Sequence, residues 1–105
     1  HYVSWDKPDG DPNKTFNLIG QDVFAKLKAG TILRVYYSTE ASATYHQMQL
    51  MTGWWTLLPN TEKMDINGSG VYTYTLTQEA LDLIQNQSGF LCGGHGYYVD
   101  RVTVQ

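Results

Sequence analysis

The chain has 105 residues, ten acidic and seven basic side chains, a formal charge of −3, 42% hydrophobic and 16% charged residues. That is one domain with room for one compact core, which excludes a two-domain enzyme. No basic stripe exists to neutralise a phosphate backbone, so nucleic acid is not an expected partner, and the chain is too apolar for disorder. No apolar run approaches the roughly 20 residues of a membrane span, so no membrane insertion is expected. Cys92 has no cysteine partner for a disulfide or a thiolate cluster. With no leader pattern at His1 and a strand-like run up to Gln105, residues 1–105 read as a single module excised from a larger protein.

His1 to Trp5 alternates weakly as a first strand, and Asp6 to Asn13 gathers strong turn formers and reads as a loop. Leu18, Val23, Phe24 and Leu27 fall near helical spacing, which predicts a short helix or turn. Thr31 to Thr39 is the clearest strand, with Leu33, Val35 and Tyr37 on one face and Arg34 and Tyr36 on the other. Thr44 to Met51 alternates again, setting His46, Met48 and Leu50 against Tyr45, Gln47, Gln49 and Met51. Thr52-Gly53 is expected to turn the chain into a strand over 54–58, completing a hairpin, and a polar loop is expected from Pro59 to Gly70. Val71 to Thr77 reads as a strand burying Tyr72, Tyr74 and Leu76. Thr77 then caps a helix of about two and a half turns that ends near Ser88-Gly89. Phe90 to Cys92 reads as a short strand that breaks at Gly93-Gly94-His95-Gly96. Tyr97 to Val104 is the last strand, with Val99 or Val102 and Val104 inward. Many short strands with turn signals between them, and two short helices in connections, predict an all-β sandwich.

Catalysis finds little support. The acids lie in turn-rich segments or on helices, except Asp100, so no pair sits on rigid elements at a fixed separation. No G-x-S-x-G elbow exists, Cys92 lies in an apolar run where thiols are buried and inert, and the three histidines lack metal-ligand spacing. Neither an enzyme nor an obligate cofactor is expected. Asp9 to Asn13 has the D-x-D-x-N start of a calcium loop without the remaining ligands, leaving either a plain turn or a structural calcium. His46 reads as a packing residue. His95, between glycines, is expected to have an exposed ring with backbone free to approach a ligand.

The informative constellation joins aromatic and amide side chains: Tyr45, Gln47 and Gln49 on one strand face, Arg34 and Tyr36 on a neighbouring one, and Trp54-Trp55 after the turn. A pyranose offers an apolar C–H face for aromatic rings and hydroxyls for amides and guanidinium groups. Strand alternation would bury one of Trp54 and Trp55 and expose the other. The segments AGTILRVYYS, TYHQMQLMTGWWTLLP, YTYTLTQEALDLI and GFLCGGHG before VDRVTV together resemble a jelly-roll, galactose-binding-like carbohydrate-binding module. Such modules accompany polysaccharide-degrading enzymes and surface glycan-binding proteins of gut and rumen bacteria. The resemblance covers residues 21–104. It implies that Arg34, Gln47, Gln49 and the Trp54-Trp55 turn line a ligand face with His95 opposite.

It departs at His46, where relatives often carry Trp, and at the segment Asp6 to Lys14, which leaves Trp5 as either a core residue or a platform at the site's edge. The expected function is non-catalytic binding of a polysaccharide, tethering an appended enzyme or surface protein to glycan outside the cell or at its surface. Arg34, Tyr36, Tyr45, Gln47, Gln49, Trp54, Trp55 and His95 are the expected ligand contacts. The alternative is a protein-interaction or adhesion sandwich in which the exposed aromatics meet a protein partner.

Overall fold

The structure is a computed structural model that describes residues 1–105. Its elements are β1 (Tyr2–Ser4), α1 (Gln21–Ala25), β2 (Ile32–Thr39), β3 (Gln47–Thr52), β4 (Met64–Asp65), β5 (Ser69–Thr75), α2 (Gln78–Asn86) and β6 (Phe90–Val104). The fold is all-β with two short helices in the connections, as expected. The strands run antiparallel in the order β4-β3-β6-β2-β5, with β1 on the other side of β6. The long β6 joins the two halves of the sheet. Its first half pairs with β3 and its second with β2, so the sheet curls around one core.

The alternation in β2 and β3 works as the pattern dictates. Leu33, Val35, Met48 and Leu50 are fully buried, while Arg34, Tyr36, Gln47 and Gln49 stay partly open. They join Phe24, Tyr74, Leu76, Ile84, Phe90, Cys92 and Tyr97 in one cluster of 16 buried residues. α2 begins where Thr77 accepts a hydrogen bond from the Ala80 N–H, and it buries Ala80, Leu81 and Ile84 against that core. Burial pushes the Cys92 thiol well above its usual range, consistent with an inert packing residue.

Three expectations are corrected. The glycine run does not interrupt the last strand; β6 continues through it by bulging. Gly94 (φ 118°) and Gly96 (φ 74°) take left-handed conformations closed to most side chains, and Tyr97 sends its hydroxyl back to the Gly93 carbonyl at 2.6 Å. The bulge exchanges the two faces. His95 points away from the core, whereas Tyr97, two residues on, is fully buried. A second irregularity, opposite Tyr36/Tyr37, exchanges them again, so Val99 and the partly buried Val102 both face the core. Second, residues 54–58 form a turn with an isolated bridge from Leu57 to Met51 rather than a strand. Third, the supposed loop after Pro59 contains β4, which pairs with the edge of β3 opposite β6.

Candidate functional site

The face of β3 and β6 turned from the core is built in cross-strand rows. One row runs Asp65, Gln47, His95, Ser4 across four strands in register. Gln47 Nε2 donates to Asp65 Oδ1 at 3.2 Å, and Ser4 Oγ lies 2.9 Å from His95 Nδ1. The next row is Gln49 and Gly93, and the last is Met51 and Leu91. Met51 and Leu91 are buried yet stand apart from the core cluster, so this face has its own apolar floor.

Over the polar row lies an aromatic shelf. The Tyr45 ring stacks on His95 with centroids 4.2 Å apart and planes at 22°, and Trp5 Nε1 donates to Tyr45 Oη at 2.6 Å. Backbone contacts hold both rings in place. The Trp5 N–H donates to the Gly94 carbonyl, and Gly96 brings β6 so close to the Tyr45 carbonyl that a Cβ there would collide with it. Trp5 is 52% and Tyr45 38% exposed. Of the two places open to Trp5, the core is ruled out by this exposure. His95 is buried rather than exposed, at 9%, because Tyr45 covers it and Ser4 packs beside it. The flanking glycines admit neighbouring backbone instead of baring the ring. Behind it Ser4 also donates to Asp6, a bond that is the main cause of an Asp6 carboxyl held below its usual range.

At the far end of β3 the tryptophans ride on a tight turn. Trp54 is 62% and Trp55 45% exposed, so neither fills the core and the alternation expected for them fails. The reason is local: Thr52 Oγ1 accepts from the N–H groups of both Trp54 and Thr56, and Trp55 adopts φ 66°. Trp54 Nε1 donates to Ser88 Oγ at 3.2 Å. Trp55 forms part of the wall of a groove of about 570 Å³ that includes Leu91, Asp9, Asp11 and Gln21. Within the Asp9–Asn13 loop, Asp9 pairs with Lys14 at 3.1 Å and Asp11 accepts from the Asn13 N–H, and no three His, Cys, Asp or Glu side chains are grouped to share a metal ion.

The structure brings together Tyr45, Gln47 and His95, with Gln49 one row away, and puts Trp54 and Trp55 at the other end of the same strand. It does not bring Arg34 and Tyr36 to them. Arg34 pairs with Thr103 while Gln49 pairs with Gly93, ten residues or about 33 Å of strand along β6. There Arg34 donates to Gln105 Oε1 at 2.8 Å and the Arg101 guanidinium lies 4.1 Å over the Tyr36 ring. His46, as expected, is partly buried, with Nε2 2.7 Å from the Glu40 carbonyl. Ser4, Asp6 and Asp65 carry no local sequence signal for this site; only the pairing of β1 and β4 brings them in.

Neither a protein-family model nor a curated protein matches the chain. Among solved structures it is similar to SGBP-B of the Bacteroides ovatus mixed-linkage glucan utilization locus, solved in complex with a mixed-linkage heptasaccharide. The two share 60% sequence identity at a TM-score of 0.96 over the whole of this chain, which spans 27% of the length of that one.

Proposed function

We propose that this chain is a non-catalytic glycan-binding module that takes a mixed-linkage glucan chain on the Trp5–Tyr45–His95 shelf. The observation that carries this reading is the shelf itself: two exposed rings locked by a hydrogen bond and a stack, beside the amides of Gln47 and Gln49. A rigid ring loses little entropy on meeting the apolar face of a pyranose, and the adjoining amides supply both donors and acceptors for its hydroxyls. The similarity to a protein solved in complex with a mixed-linkage heptasaccharide supports this sugar class. Gln49 and the apolar floor of Met51 and Leu91 lead from the shelf toward Trp55, which serves as a second contact for a longer chain.

The site needs no ionisable pair and performs no chemistry, only association. The module belongs to a longer bacterial protein at the cell surface, a reading supported by the fraction of SGBP-B that it spans. Affinity on so open a face falls in the micromolar to millimolar range, about −4 to −8 kcal/mol. Titration calorimetry with a mixed-linkage heptasaccharide, against starch and xylan oligosaccharides as controls, tests this. Heat with the first alone supports the reading; no heat with any of them defeats it.

A further inference from the structure

The hydrogen bonds behind the shelf determine which atoms it offers to a ligand. The Trp5 indole N–H only donates, so Tyr45 Oη accepts it and keeps its own proton free. Ser4 has a single hydroxyl proton, and the neighbouring Asp6 carboxylate, which only accepts, takes it. Ser4 Oγ then faces His95 Nδ1 at 2.9 Å with lone pairs alone, so Nδ1 must carry the ring proton. The Nδ1–Asp6 Oδ1 separation of 3.9 Å favours the same arrangement. His95 Nε2 has no partner within the protein, and no buried side-chain nitrogen or oxygen is left without one, so Nε2 reaches solvent.

Building on the glycan-binding reading, we infer that Asp6 and Ser4 are positioning residues that hold His95 as its Nδ1–H tautomer, so that Nε2 accepts a hydroxyl proton from the bound sugar while Tyr45 donates to a neighbouring oxygen. The shelf thus reads the hydroxyls of the ring it stacks on. A glucosyl unit lacking the donated hydroxyl leaves Nε2 unpaired and binds more weakly.

Heteronuclear NMR of the imidazole nitrogens tests this on the intact chain, at a pH where the nitrogen shifts show a neutral ring. In the wild type the proton is expected on Nδ1. Asp6→Ala, a surface change, releases the Ser4 proton toward Nδ1 and moves the ring proton to Nε2; Ser4→Ala removes the tie and mixes the tautomers. Each variant is expected to weaken heptasaccharide binding about five-fold, the worth of one hydrogen bond. Heptasaccharide is expected to shift the wild-type Nε2 resonance. A wild-type proton on Nε2, or an unchanged tautomer in Asp6→Ala, overturns the inference. An unmoved Nε2 beside shifted Tyr45 and Gln47 resonances overturns it while the glycan reading stands. If heptasaccharide moves no resonance, both fall.

Discussion

The two ends of β3 carry exposed aromatics in opposite ways. At the Gln47 end, Tyr45 and Trp5, flanking the ends of β3 and β1, are tied to each other, to a buried histidine and to the backbone of the β6 bulge. At the Thr52 end, Trp54 and Trp55 project from a turn closed by backbone bonds between Thr52 and Trp55 and Thr56 and by the Thr52 hydroxyl, with Trp55 in a left-handed conformation that costs a bulky residue about 1–2 kcal/mol. The first end is preorganised and the second is strained and more open. Binding energy should concentrate where the rings are already fixed, with the turn adding contacts for longer ligands.

The largest effect expected is on folding. Gly94→Ala puts a Cβ into the Gln47 carbonyl at φ 118°, so the bulge beneath the shelf cannot close. The loss should be at least about 3 kcal/mol, seen as a fall of about 15 °C or more in thermal midpoint. A variant that melts like the wild type would show that β6 does not depend on this bulge.

Next is binding at the fixed end. Tyr45→Ala removes the stack and the Trp5 partner, and should weaken heptasaccharide binding about 100-fold with only a small change in thermal midpoint. At the turn, Trp55→Ala should cost only about three- to ten-fold, and less for short oligosaccharides than for polymer. Calorimetry on both variants ranks the two ends, and equal losses would erase the distinction. The strain can be read separately: Trp55→Gly should be more stable than Trp55→Ala by about 1 kcal/mol, the reverse of the usual order, because only glycine accepts φ 66° freely. Denaturant melts of the two decide it.

The smallest effect concerns pH. Glu40 accepts from the Ser42 N–H, the Tyr98 hydroxyl and the Ser42 hydroxyl, which together lower its carboxyl from 4.5 to about 2. A carboxyl depressed in the folded state adds stability above pH 4.5 and loses it as pH falls toward 2. Glu40→Gln should therefore show a shallower decline of stability across that window. Unchanged slopes would mean that Glu40 keeps its ordinary titration.

Much of the core was legible because its signals are local. Alternation placed Leu33, Val35, Met48 and Leu50 inward, Thr77 marked the start of α2, and an apolar run placed Cys92 in the core. The site was only partly legible, for two physical reasons. Its shelf joins Trp5, Tyr45 and His95, residues separated by forty and fifty positions, which meet only through the pairing of β1 and β3 with β6. Its geometry also depends on backbone conformations that mislead a pattern reading. The glycines around His95 resemble a loop but serve a bulge, and the adjacent tryptophans resemble a strand but sit on a turn with φ 66° at Trp55. Arg34 and Tyr36 share the outward alternation of Gln47 and Gln49, yet alternation carries no information about distance along β6.

The most direct test is a crystal structure of the chain soaked with a mixed-linkage heptasaccharide. The account predicts a glucosyl ring on the Trp5–Tyr45 shelf, hydrogen-bonded beside Gln47 and extending along β3 toward Trp55. Sugar bound instead at the Arg34–Tyr36 patch, or a shelf left bare by a ligand that binds in solution, would contradict it.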